Sequence, residues 1–371
     1  MRIVHVTSSS RGGGAVYMRR VARPQAAAGH RVVTVMPDDG EITGASLEAL
    51  GIAHRDPGRL GPERLSWLSD VLRLERAHVV HCHGGRAAFW ARLACLGMVS
   101  RRPRLIYALH GFTAPYRPFP KRQAMWVAER ALSPLTDAYV LGSEAEGVDA
   151  RAFGLDARRM HVIYNGVDAS LFAGGDRAAA RRLLGLPPDA FVMLTVCRLD
   201  QPRDPALFLR VLARLAGESP APRLVIVGGG PLRAPAEALA LELGVRPLVS
   251  FLGYRHDLPR ILPAGDVFVH ATTGWEGGVA LAMQEGMAAR LPVVATRAGG
   301  IPEGVVEGET GFLVPVGDDE AMAAAARRFR DDPALAARCG AGGRELVKTR
   351  FSIGSMVDAN ERLYAELLAP A

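Results

Sequence analysis

The sequence predicts an α/β chain of two doubly wound parallel-sheet domains, and three observations predict it. The chain has 371 residues, about twice the size of an ordinary single domain. Short β-branched runs alternate with longer helical patterns almost from end to end, the signature of repeated βαβ units. The runs fall into two similar sets, separated by the turn-rich stretches Asn165-Gly-Val-Asp168 and Ala173-Gly-Gly-Asp176.

The first set comprises Arg2 to Val6, Arg31 to Met36, His78 to Cys82, Leu105 to Leu109, Ala138 to Leu141 and His161 to Tyr164. The second comprises Phe191 to Val196, Leu224 to Val227, Leu248 to Leu252, Val267 to His270, Pro292 to Ala295 and Gly311 to Val314. Each set is what one doubly wound sheet requires, which gives domains over residues 1–168 and 169–351. From Ser352 to Leu368 the pattern is helical again, with Ile353, Met356, Leu363, Tyr364, Leu367 and Leu368 on one broad face. Residues 352–371 therefore form a helix that must bury that face on one of the two domains.

Composition excludes several classes. Hydrophobic residues make up 49% and charged residues 22%, too apolar a balance for a disordered chain. No apolar run reaches the ~18 residues that cross a bilayer, and the chain opens on a short strand, so neither a membrane span nor a secretory signal is expected. The formal charge is +7, and of 45 basic residues only Lys121 and Lys348 are lysine. The arginines are scattered through helical stretches without interleaved aromatics, so nucleic acid is not an expected partner. The excess positive potential suits anionic ligands or an acidic membrane surface. Cys82, Cys95, Cys197 and Cys339 lie far apart with no paired spacing, and read as reduced core cysteines of a cytoplasmic protein.

The first strand ends in Thr7-Ser-Ser-Ser-Arg-Gly12-Gly13-Gly14 and runs into a helix. In a doubly wound sheet such a turn lies at the carboxyl edge, where helix amides and bare glycines admit an anion. Gly12, Gly13 and Gly14 read either as a phosphate-contacting loop or as a tight turn, with Tyr17 where a dinucleotide fingerprint has its third glycine. His110 ends another strand, where it either packs or faces a ligand. Alternation turns His81 and His83 to one face with no third metal ligand evident, so His83 reads as part of a strand-end turn near the crevice.

In the second half, Arg198 and Arg203 follow a strand end and can project toward one point, where guanidinium forks suit diphosphate oxygens. Glu276, Gly277, Gly278, Val279 and Ala280 lead from a strand end into an apolar helix whose first amides can hold phosphate or sugar oxygens. Glu285, inside that helix, can accept bonds from vicinal hydroxyls of a ribose or hexose. Surface charge and helix-end charge are the alternatives for these arginines and glutamates.

The order of these motifs resembles the bacterial group 1, family 4-like glycosyltransferases, retaining enzymes of GT-B fold that use nucleotide sugars. The matching segments include Val80-His-Cys-His83-Gly, Leu109-His110-Gly-Phe112, Ile163-Tyr-Asn165-Gly-Val-Asp168, Cys197-Arg198-Leu199, Val227-Gly-Gly-Gly230-Pro-Leu, Phe251-Leu-Gly253, Glu276 to Ala288 and Ala298-Gly-Gly300-Ile-Pro-Glu303. They cover nearly the whole chain. The resemblance implies two Rossmann-like domains facing across a cleft, an N-terminal one for the acceptor and a C-terminal one for the donor, with the last helix packing back on the first domain. It implies that Arg198 with a basic partner, here Arg203, binds the donor diphosphate, Glu285 the ribose, Glu276 the sugar hydroxyls and His110 the sugar or reacting centre. Ser250, Phe251, Leu252 and Tyr254 would line the base pocket, and Gly12 to Gly14 would meet the diphosphate. Transfer would retain the anomeric configuration and move a hexose or N-acetylhexosamine from a nucleoside diphosphate sugar, UDP first, without metal or other cofactor.

Two departures stand out. Arg203-Asp204 occupies the place of the family's usual lysine and glycine, and eight residues rather than seven separate Glu276 from Glu285. A nucleotide-sugar 2-epimerase and a non-catalytic sugar-nucleotide binding protein are the competing expectations; a phosphorylase lacks its strand-end lysine. For the acceptor, His83 is one expected residue, and Phe112, Tyr116 and Trp126, with Lys121 and Arg122, form an expected aromatic and basic lip. It suits a saccharide, a lipid-linked saccharide at the inner membrane surface, or a small natural-product acceptor.

Overall fold

The computed structural model describes residues 1–40, 42–98, 102–274 and 276–370. It forms two compact units, Met1–Gly166 together with Ile353–Ala371, and Val167–Ser352; Ala371, the last residue of the expected terminal element, lies outside the described residues.

The first unit holds β1 (Arg2–Thr7), β2 (Arg31–Val35), β3 (Ala53–Arg55), β4 (Val79–His83), β5 (Arg104–Ala108), β6 (Ala138–Leu141) and β7 (Met160–Val162). They form one parallel sheet in the order β3-β2-β1-β4-β5-β6-β7. β3 was not among the expected strands: it is a three-residue edge strand, Ala-His-Arg, with no β-branched residue and no buried position to mark it. Alternation sends Val4, Val6, Val80, Cys82, Leu105 and Tyr107 to one face, where they pack on Ala87, Ala88 and Ala91 of the helix Gly85–Cys95. Ile3, Val79, Ile106 and Ala108 go to the other, against Tyr17 and Val21 of the helix Gly12–Ala27. Both faces are covered, as a parallel sheet requires.

Part of that cover is supplied by the helix Ile353–Leu368, which buries Met356, Asn360, Leu363 and Tyr364 at helical spacing on the first domain. Leu368, expected on the same face, is instead exposed. Asn360, inside the apolar stripe, donates to the Tyr17 hydroxyl at 2.8 Å. Where the chain leaves the second domain for this helix, the N–H of Val167 donates to the carbonyl of Phe351 at 2.8 Å.

The second unit holds β8 (Phe191–Val196), β9 (Pro222–Val227), β10 (Val249–Gly253), β11 (Val267–His270), β12 (Val293–Thr296) and β13 (Gly311–Val314). These are again all parallel, in the order β10-β9-β8-β11-β12-β13. Strand order reverses between β1 and β4 in one sheet and between β8 and β11 in the other, and ligands of such sheets bind outside the carboxyl ends at that point. The four cysteines are buried and free, their thiols pushed up by burial. Among the described residues no helix is long and apolar enough to cross a membrane.

Candidate functional site

At the carboxyl edge of the first sheet, four histidines stack. His5 on β1 stands opposite His81 on β4, His83 ends β4, and His110 sits in the turn after β5. Ring centroids are 5.4 Å apart for His5 and His81, 4.5 Å for His81 and His83, and 5.2 Å for His83 and His110. A hydrogen-bonded chain runs through three of them: Gln25 Oε1 to His5 Nε2 at 2.8 Å, His5 Nδ1 to His83 Nε2 at 3.0 Å, and His83 Nδ1 to His110 Nε2 at 3.0 Å. His81 Nδ1 meets the Tyr364 hydroxyl at 2.6 Å. Burial removes the hydration that an imidazolium needs, lowering His5 and His110 to about 4 and His81 and His83 well below the usual range. Four neutral rings can share this space; four cations could not.

The third histidine that the sequence did not reveal beside His81 and His83 is therefore His5. Ligating nitrogens of the three lie within 4.8 Å of one another. The rings face each other at 23 to 33°, so their in-plane lone pairs run side by side rather than converge, and His5 and His83 spend facing nitrogens on each other. The trio is built as a stack.

Around His110 the backbone is unusual. His110 has φ 50 and Gly111 φ 96, and a left-handed non-glycine residue persists only where its surroundings hold it. Glu146 does so: Oε1 accepts from the N–H groups of Gly111 at 2.6 Å and Phe112 at 2.9 Å, and Oε2 from Gly142 at 2.7 Å. Burial of this carboxylate outweighs the three bonds and raises it to about 7. Tyr17 packs edge-on against His110 at 4.7 Å. Gly12, Gly13 and Gly14 form the first turn of the helix Gly12–Ala27; a Cβ on Gly14 would stand 3.3 Å from the His110 ring, whereas one on Gly13 would meet nothing within 4 Å.

Two expected acceptor residues are buried. His83 is 3% exposed with both ring nitrogens engaged, and Phe112 is buried in the core edge-on to Phe153. Tyr116 and Trp126 are exposed, with Phe119 beside them in sequence. The Tyr116 hydroxyl donates to Asp149 at 2.7 Å, and the Arg130 guanidinium lies 5.6 Å from the Trp126 ring.

In the second domain the loop after β8 is laced to the loop after β11: Asp204 N–H donates to Ala271 O at 3.2 Å and Thr273 N–H to Pro202 O at 2.7 Å. This lacing brings Arg203 to Glu276, with which it forms a hydrogen-bonded ion pair, and to His270 Nε2 at 3.2 Å. The cluster is mostly buried. Burial alone would raise the Glu276 carboxyl, but the His270 bond and the Arg203 charge hold it at about 2. His270, buried at the end of β11, is held below the usual imidazole range by desolvation. Arg198 stays 73% exposed, 3.3 Å from Asp200, so the two arginines do not share a target here. Gly228, at φ 132, lets the backbone after β9 cross that of Cys197, where a Cβ would collide with its carbonyl oxygen.

Glu276 is held by its backbone as well, since Gly300 N–H donates to its carbonyl at 3.1 Å. Gly277 and Val279 are buried and Gly278 and Ala280 complete the loop before the helix Leu281–Ala288, which carries Glu285 half-buried between the buried Met283 and Met287. In the expected base pocket, only Tyr254 lies beyond the carboxyl end of β10. Ser250 is the second residue of that strand and Leu252 its fourth, while Phe251 packs on the core between the Arg233 and Arg246 guanidiniums.

A model of "Glycosyltransferase Family 4" matches residues 11–171, and one of "Glycosyl transferases group 1" matches residues 190–332. The chain belongs to the GT-B glycosyltransferases. The first match embraces the glycine turn, His81, His83, His110 and Glu146, and begins after His5; the second runs from β8 past Glu285. This family member is 32% identical over 262 residues to the D-inositol 3-phosphate glycosyltransferase of Saccharomonospora viridis, over 67% of the chain and 60% of that relative. It is 39% identical over 182 residues to the lipopolysaccharide core biosynthesis glycosyltransferase LpsD of Rhizobium meliloti, about half of each chain. Its fold matches Alr3699/HepE of Anabaena, solved with UDP, at TM-score 0.84 and 21% identity over 99% of this chain and all of that one.

Proposed function

We propose that the protein transfers a hexosyl or N-acetylhexosaminyl group from a nucleoside diphosphate sugar, UDP first, to a hydroxyl of a saccharide, lipid-linked or small-molecule acceptor, with retention. The observation that carries this reading is the Arg203, His270 and Glu276 cluster at the carboxyl edge between β8 and β11, with Arg198 exposed beside it. A guanidinium has five donors, so one bond to Glu276 leaves others for phosphate oxygens. In this reading Arg198 and Arg203 meet the diphosphate, Glu276 the sugar hydroxyls, Glu285 the ribose and His110 the sugar. The bond from the anomeric carbon to the diphosphate breaks as the acceptor oxygen bonds on the same face. The acceptor proton passes to the departing diphosphate, whose charge the arginines offset before it forms.

The Anabaena neighbour was also solved with UDP-glucose, which favours a uridine donor here. The reading needs no metal, because arginines and helix amides supply the positive charge. It includes a cytoplasmic protein that touches the inner membrane surface through the exposed Phe119, Trp126 and Val127 beside Lys121 and Arg122. Thermal stabilisation by a panel of nucleotide sugars, with and without chelator, tests the donor half. Stabilisation by UDP-glucose or UDP-N-acetylglucosamine that survives chelator is expected. No stabilisation by any donor, or its loss with chelator, overturns the donor assignment. Release of UDP without an acceptor, with the sugar altered at C2, would mark an epimerase instead.

A further inference from the structure

The histidine chain does more than fill space. A neutral imidazole has one N–H and one lone pair, and His5 and His83 each have both ring nitrogens engaged. Every bond in the chain needs a proton on one side and a lone pair on the other. Only two proton patterns satisfy both histidine–histidine bonds, and the tautomer of any one ring then fixes the other two. At the inner end stands Gln25, 1% exposed, whose Oε1 faces His5 Nε2 at 2.8 Å. A carbonyl oxygen only accepts. With the amide in this orientation, which leaves Gln25 Nε2 buried without a partner, His5 carries its proton on Nε2, His83 donates from Nε2 to His5 Nδ1, and His110 donates from Nε2 to His83 Nδ1.

We propose that Gln25, His5 and His83 are positioning residues that lock His110 in the Nε2–H tautomer and leave its Nδ1 as a fixed hydrogen-bond acceptor. Gln25 lies twenty or more residues from every histidine of the hydrogen-bonded chain, and its bond to the chain is to His5. It acts through two intervening rings. Resting on the glycosyltransferase reading, the consequence is specificity: His110 Nδ1 accepts from a sugar hydroxyl and gives nothing to a group that can only accept.

The test is imidazole nitrogen NMR on the full-length protein with labelled histidine, each ring assigned by substitution. In the wild type, His5, His83 and His110 are each expected as a single tautomer with Nε2 protonated and Nδ1 bare. Gln25→Met removes the terminal acceptor, so all three rings, including the untouched His110, should become tautomer mixtures. Gln25→Glu, whose carboxylate can only accept once ionised, should restore the wild-type pattern at a pH where it is ionised. Nδ1–H on His110 in the wild type overturns the proposal, and so does a His110 signal indifferent to Gln25→Met. If that variant does not fold, the wild-type spectrum alone decides. With donor in hand, Gln25→Met should lower kcat several-fold and Gln25→Glu should recover it. If no nucleotide sugar is turned over by the wild type, the function reading fails while the tautomer result stands on the spectrum.

Discussion

A Cβ on Gly299 would fall on the carbonyl oxygen of Glu276. The turn after β12 and the loop after β11 approach so closely there that only a bare α-carbon fits, and Gly299 has φ 48 besides. Gly299→Ala should therefore cost about 2 kcal/mol or more in stability from strain and displacement. It should also lower kcat/KM with the donor, by moving the Glu276 backbone. Chemical denaturation and steady-state kinetics on the variant check both; wild-type kinetics would mean that Glu276 needs no such anchoring.

Arg198 makes the opposite case. Its pair with Asp200 is exposed, and such pairs contribute about 0 to 1 kcal/mol, so Arg198→Ala should melt almost as the wild type does. Loss of a charge-assisted bond to the diphosphate should cost about 1.5 to 3 kcal/mol at the transition state, a tenfold drop in turnover or more. Wild-type turnover by the folded variant would remove Arg198 from the site.

The two glutamates separate by ligand. Glu285→Gln should weaken free nucleoside diphosphate and intact donor alike, by about 1 to 2 kcal/mol. Glu276→Gln should leave the free nucleotide nearly unaffected and weaken the sugar-bearing donor. Because it also leaves Arg203 without its buried partner, it should lower the melting temperature. Calorimetric titration of both variants with both ligands decides; nucleotide affinity lost only in Glu276→Gln would mean the roles are reversed.

Acid should loosen the fold early. Burial lowers His5, His81, His83, His110 and His270 from an ordinary value of 6.5, so below that pH the unfolded chain takes up protons that the folded chain refuses. Stability then falls as pH drops, each ring adding a slope of about 1.4 kcal/mol per pH unit, with His5 and His110 doing so down to about 4. Glu146, raised from 4.5 to about 7, works the other way: its contribution is lost as pH rises between those values. Five groups outweigh one. The urea midpoint should fall between pH 6.5 and 5, before the lowered carboxylates titrate; a midpoint that holds or rises would contradict the neutral stack.

Much of this fold could be read from the sequence because parallel strands buried on both faces leave continuous β-branched runs, as in Ile3-Val4 and Val267-Phe-Val269. β3 could not, having only Ala53, His54 and Arg55 and half-buried positions. In the site, Arg203, Glu276 and His110 carried a motif, whereas His5, Gln25, Glu146 and His270 did not. Their importance comes from partners far along the chain: Glu146 serves Gly111, and Tyr364 meets His81 across 283 residues. Tyr17, noticed only as a missing glycine, turns out to wall His110. The burial of Phe112 is not legible in sequence, because an aromatic next to a strand-end glycine looks the same there whether it points out or in.

The helix Ile353–Leu368 also bears on how the chain is born. Its Met356, Leu363 and Tyr364 complete the cluster around Ile3, Val79 and Ile106, yet the whole of the second domain is translated in between. During synthesis the first sheet must emerge from the ribosome with one apolar face partly bare, while Val167–Ser352, contiguous in sequence, can finish its core as it appears. Completion therefore runs against the direction of translation, and until residue 364 is free, the surface around Ile3, Val79 and Ile106 is where a chaperone would be needed.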